Sequence, residues 1–199
     1  LKLLKARALY RLGSYKQAMK MLEGIQKSDE LLVLRALMFW RLGNNETSFG
    51  IVSKLSHSPD FVTRAESLNI LGLLSWSKGE YENAEEHFSR SAALWKALGE
   101  MDRWANALVN VAVSQIENRR PIEEVEKILT DASEIAPNNA LLRTRIALNQ
   151  ATAFERLGNQ KSAIDKLLYT IQIASEIGQG EIEARAWSNV GAIYHRAEM

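Results

Sequence analysis

The side chains able to do chemistry are few and scattered. Three histidines, His57, His87 and His195, stand far apart, and none has a partner at metal-ligand spacing. Cysteine is absent, which removes disulfides, thiolate metal sites and thiol nucleophiles together. The Gly178-Gln179-Gly180 segment has neither a preceding strand nor a following lysine-serine pair, so it reads as a turn between helices rather than a phosphate loop. The acid pairs Glu85-Glu86 and Glu123-Glu124 belong to amphipathic stretches, where they face water and favour a helix start. Arg119 and Arg120 form a compact basic pair in a turn, too small to track a phosphate backbone. With no acid, base and nucleophile set to converge, the expectation is no catalytic residue, no metal and no cofactor. The chain is read as a binding protein, not an enzyme.

The bulk properties agree. The formal charge of +1 gives no global field of the kind that nucleic-acid or anionic-membrane binders carry. The longest apolar runs, 31–40 and 68–76, are interrupted by Arg35 and Asn69 and are far shorter than a membrane span. No nucleic acid and no membrane are expected as partners. A reducing, cytoplasmic setting fits the lack of cysteine. The 199 residues allow one large domain or two small ones.

The elements that must position any site come from an internal repeat. The segments 10–22, 40–52, 76–88 and 155–167 align without a gap. In each, a glycine (Gly13, Gly43, Gly79, Gly158) is followed five residues later by a small residue (Ala18, Ser48, Ala84, Ala163), and four residues beyond by Leu22, Val52, Phe88 or Leu167. Seven residues before each glycine stands Ala6, Ala36, Gly72 or Ala151. A fifth unit keeps Ala112 seven before Arg119 and then adds one residue before Val125 and Leu129, and a sixth begins at Trp187. The small residues Ala6, Ala36, Gly72, Ala112, Ala151 and Gly191 are thus spaced by 30, 36, 40, 39 and 40 residues. Apolar residues three and four apart mark each half-unit as an amphipathic helix. The glycine supplies the left-handed cap that ends the first helix, and the small residues let two backbones approach.

These residues resemble the tetratricopeptide repeat family. Its signature of Trp, Leu-Gly and Tyr, then Ala and Phe, then Pro is met by Trp187, Val190, Gly191 and Tyr194, by Leu71-Gly72, by Ala84 and Phe88, and by Pro137. The resemblance covers essentially the whole chain and implies an all-α, right-handed superhelical solenoid of antiparallel helix pairs, about 11 helices in all. Residues 1–199 would form one repeat domain of five hairpins plus one extra helix. The units exceed the family length of about 34 residues. In this they are similar to the extended repeats of large bacterial transcription activators, related signalling proteins and kinesin light chains. With Leu1 at its start and Glu198 where the next linker glycine would fall, the sequence reads as part of a larger protein.

In this family the first helix of each hairpin lines a concave groove. Carried over by register, the resemblance places Arg7, Tyr10, Arg11, Val33, Leu37, Trp40, Arg41, Asn69, Leu73, Trp76, Arg156, His195 and Arg196 on a partner-binding surface. Aromatics and arginines are the types enriched at energetic centres of interfaces. The alternative is that Trp40 and Trp76 pack on neighbouring helices while each arginine serves the carboxyl end of its own helix. Leu3, Val33 and Leu37 occupy the stripe where the family's chaperone-tail clamp uses lysine and asparagine.

The expected partner is therefore a protein or peptide, amphipathic with an acidic part. The expected role is an interaction scaffold, the regulatory repeat region of a bacterial transcription regulator or signalling protein. The alternative is a sensor of a small molecule or short peptide that alters superhelix curvature. The last helix, 181–197, is a further candidate for self-association.

Overall fold

A computed structural model describes residues 2–198, with the side chains of 2–10 and 12–196. The described residues form eleven α-helices and no strand. None is long and apolar enough to cross a membrane. The chain divides into two compact units, Leu1–Gly99 and Glu100–Met199.

Unit 1 holds three hairpins: α1 (Lys2–Arg11) with α2 (Tyr15–Met21), α3 (Asp29–Arg41) with α4 (Asn45–Leu55), and α5 (Phe61–Ser77) with α6 (Tyr81–Ala97). Within it the first helices α1, α3 and α5 pack side by side, and the second helices α2 and α4 also pack on α3 and α5 respectively. Unit 2 holds α7 (Met101–Glu117) with α8 (Ile122–Ile135), α9 (Ala140–Arg156) with α10 (Gln160–Glu176), and α11 (Gly180–Glu198) on α10.

The spacing of small residues reappears as packing. Ala6, Ala18, Ala36, Ser48, Ala84, Ala112 and Ala163 are fully buried, as are Leu22, Val52, Phe88, Leu129 and Leu167 at no more than 2% exposed. At the third hairpin the approach is closest, since a Cβ on Gly72 would stand 2.5 Å from the Phe88 ring. Hydroxyls fasten two of these contacts: Ser48 Oγ donates to the Ala36 carbonyl and Ser91 Oγ to the Ala65 carbonyl, both at 2.8 Å.

Helix starts are capped by Ser28, Asn44, Asp60, Asn139 and Asn159, each accepting from a backbone N–H three residues on. The first helices end in a common pair of backbone bonds, such as Gly43 N to Trp40 O and Asn44 N to Phe39 O. In the fourth hairpin the same bonds run from Arg119 N to Ile116 O and from Arg120 N to Gln115 O. Arg119 consequently sits at φ 56°, where an L side chain is strained and the other hairpins use glycine. Arg119→Gly is expected to stabilise the protein by about 0.5–1 kcal/mol, read as a higher urea midpoint.

Candidate functional site

In unit 1 the adjacent first helices bring most of the expected surface residues together. Trp40 ends α3, and Arg41 folds its guanidinium over the Trp40 ring at 4.6 Å, the Tyr15 ring at 5.8 Å and the Tyr10 ring at 5.9 Å. Arg41 Nε also donates to the Tyr10 hydroxyl at 3.2 Å. Burial pushes the Tyr10 hydroxyl above the ordinary tyrosine value, a shift that the hydrogen bond and charge of Arg41 oppose. Tyr10 meets Tyr15 at 5.4 Å between centroids, within the range of favourable tilted ring pairs. The result is a fixed cation seated among three rings, with Arg41 itself exposed.

Trp76, at the same position of α5, is 38% exposed and meets Tyr81 of α6 at 6.4 Å in a tilted pair. Leu37 and Trp40 are half-buried against the core cluster of Val52, Leu68 and Leu71. Asn69 and Leu73 are half-buried on α5. Arg7 pairs with Glu30 at 2.6 Å, both partly exposed, a contact of about 0–1 kcal/mol at a surface. The side chain of Arg11 lies outside the described residues.

Val33 departs from the expected surface. It is 3% exposed and packs with Ala36, Val52 and Leu68, so it offers a partner no area. Position ten before the linker residue is equally closed at Val109 and Leu148, 0% and 5% exposed. The seam between neighbouring first helices takes up this side of the helix, which spacing along one helix does not reveal. Val33 supports the surface from beneath.

The arginines of unit 2 serve their neighbours. Arg156 ends α9 and bonds the Ile116 carbonyl at the end of α7, with a second bond to Glu117 Oε2 at 2.9 Å. Arg196 of α11 bonds Glu155 Oε1 at the end of α9. Each thus reaches back to the carboxyl end of the preceding first helix, as Arg41 reaches back to Tyr10, rather than to the end of its own. Ser77 holds this position in the third hairpin and instead donates to the Leu74 carbonyl of its own helix at 2.8 Å. A parallel contact joins Arg145 of α9 to Asn106 and Asn110 of α7. Tyr15, Glu30, Asn106 and Asn110 were not picked out by the repeat pattern; for Asn106 and Asn110 the separations of 39 and 35 residues from Arg145 lie in the range of the repeat and are the signal that could have found them, whereas Glu30 stands 23 residues from Arg7 and carries no such signal.

His195 is exposed on α11, whereas His57 Nδ1 lies 3.1 Å from Ser56 Oγ and 3.2 Å from the Ser53 carbonyl in the α4–α5 turn. Among the described residues no group of three histidine or acidic side chains could hold a metal ion. Half-buried His87 of α6 is pushed below the ordinary histidine value by burial, with Glu86 opposing and Arg90 adding. The unfolded chain therefore takes up this proton first as pH falls. The stability tied to neutral His87 is complete above about pH 6.5 and declines as pH drops through that value, levelling off below the folded-state value. His87→Gln is expected to flatten the urea midpoint between about pH 5 and 7, measured at fixed ionic strength.

The fold is a tetratricopeptide-like helical repeat. Among solved structures the chain is similar to the APC/C hetero-tetramer Cut9–Hcn1, with a TM-score of 0.69 and 19% identity over 93% of this chain and 35% of that one. It is similar to the apo form of RapI, with a TM-score of 0.69 and 15% identity over 93% of this chain and 73% of that one. BtubC from P. vanneervenii matches with a TM-score of 0.63 and 15% identity over 87% and 78% of the two chains. The chain spans little more than a third of the Cut9–Hcn1 chain's length. No protein-family model and no curated protein matches the sequence.

Proposed function

We propose that the chain is a protein-interaction scaffold whose unit 1 binds a protein or peptide on the first-helix face, without catalysis. The supporting observation is the Arg41 guanidinium seated among Tyr10, Tyr15 and Trp40, on the same packed helices as half-exposed Trp76. Ordered aromatics beside a fixed cation lose little conformational entropy on binding and are typical energetic centres of interfaces. The occupant that suits them is an amphipathic segment with apolar side chains for Trp40 and Trp76 and a carboxylate for Arg41. The neighbours include a protein crystallised in a hetero-tetramer, Cut9 with Hcn1, which is in keeping with a scaffold.

At the finer level, the extended repeats support the regulatory repeat region of a larger transcription or signalling protein. The test is affinity capture with the 199-residue chain, with partners identified by mass spectrometry. A partner retained by Leu157→Ala and lost by both Trp40→Ala and Trp76→Ala supports the surface. A partner retained by all three places binding elsewhere. Stabilisation by a metabolite that displaces no protein would favour the sensor alternative.

A further inference from the structure

We propose that the partner segment held by unit 1 is proline-rich: an extended polyproline-II stretch with prolines three residues apart and an acidic residue beside the central one. The assignment rests on the first-helix face of unit 1 being the interaction surface, and it names what that surface reads.

The aromatic residues of that surface form a row with a period. Tyr10, Trp40 and Trp76 each stand three residues before the linker glycine, on α1, α3 and α5 in turn. Those helices pack side by side, so the step from one ring to the next is one interhelical spacing, about 8–10 Å. A polyproline-II chain turns once in three residues and rises about 3.1 Å per residue, hence about 9 Å per turn. Every third side chain of such a segment lies on one face and meets one hairpin. The two outer stations are paired rings: Tyr10 with Tyr15 at 5.4 Å and 52°, and Trp76 with Tyr81 at 6.4 Å and 60°. Tyr15 and Tyr81 each stand two residues after the linker glycine, so each pair bridges the two helices of one hairpin, and its inclined rings offer an apolar corner that suits a pyrrolidine ring. Trp76 is 38% exposed and the other four rings of the row, Trp40 included, are half-buried.

The central station differs. Asn45 holds the position of Tyr15 and Tyr81 in the second hairpin, and Arg41 closes over the Trp40 ring at 4.6 Å instead. A proline against Trp40 therefore lies beside a guanidinium anchored by its 3.2 Å bond to the Tyr10 hydroxyl, which selects a carboxylate on an adjoining residue. Hydrogen bonding favours an extended backbone over a helix. Helix carbonyls are satisfied internally, whereas those of polyproline II are exposed and need donors. The row is rich in them: indole N–H groups, phenol hydroxyls and a guanidinium, of which indole and guanidinium donate only. Proline has no N–H, so a segment built on it asks for few acceptors in return. The same position in unit 2 is held by Ile116, Glu155 and His195, so the aromatic row belongs to unit 1 and reads three successive turns.

The probe is the fluorescent peptide Ser-Pro-Ser-Glu-Pro-Glu-Ser-Pro-Ser, titrated with the 199-residue chain by anisotropy. Its control, Ser-Ser-Pro-Glu-Pro-Glu-Pro-Ser-Ser, has the same composition and charge with a proline at every second residue. Saturable binding is expected, at least about tenfold tighter than for the control and weakened at least about tenfold by Trp76→Ala. Arg41→Gln should weaken the glutamate peptide but not a version with glutamine in both places. Absence of saturable binding, equal affinity for the two spacings, or wild-type binding by Trp76→Ala overturns the proposal. The partner captured through Trp40 and Trp76 separates the proposal from the reading it rests on. Displacement of that partner by the probe is expected; a captured partner that the probe does not displace, or whose bound segment is a helix, overturns the proline assignment and leaves the surface standing.

Discussion

Phe88→Ala is expected to destabilise the protein by about 3–5 kcal/mol, the range for deleting a fully buried ring whose surroundings relax only in part. Phe88 is 2% exposed, and its ring edge stands where a Cβ of residue 72 would be. Gly72→Leu attacks the same contact from the other side. The ring is buried, as are Ala84, Ala92 and Trp95 of its own helix, so overpacking should cost about 1–3 kcal/mol. The double variant Gly72→Leu/Phe88→Ala should cost clearly less than the sum, because the new side chain enters the space the ring leaves. Urea unfolding of the four proteins measures the coupling, and additive losses would mean that the two residues do not share the space.

Trp76→Ala is expected to weaken binding at the unit 1 surface by at least 2 kcal/mol, about thirtyfold, while changing stability little. The ring is 38% exposed and its described aromatic neighbour is Tyr81. Trp40→Ala should lower affinity and stability together, because that ring also packs against the cluster of Val52 and Leu68 and carries the Arg41 guanidinium. Titration calorimetry with the captured partner, beside thermal melts of each variant, distinguishes the two patterns. Equal affinities for wild type and Trp76→Ala would remove the surface from consideration.

The repeat was readable because close packing leaves a literal trace. Only glycine, alanine or serine fits where two backbones meet, so Gly72, Ala84 and Ser48 announce the hairpin seams by type and spacing alone. The linker glycines were readable for a backbone reason, and Arg119 shows that the turn holds its geometry even where the residue does not favour it. What spacing along one helix could not give was the identity of neighbours across hairpins. Val33 belongs to the stripe expected to face a partner, yet the next first helix closes over it. The arginines were legible as a recurring feature but not as clasps, since their partners lie 31 to 41 residues earlier and repeat lengths vary over much the same range.

The backward reach of those arginines gives unit 2 a polarity under load. To draw α11 away, its buried Ala186, Val190 and Ile193 must leave the core of unit 2 along with the Arg196–Glu155 contact, whereas the Arg156 clasp to α7 lies one first helix further in. A pull from the opposite side meets α7 first, where Ile116 and Glu117 share a single guanidinium.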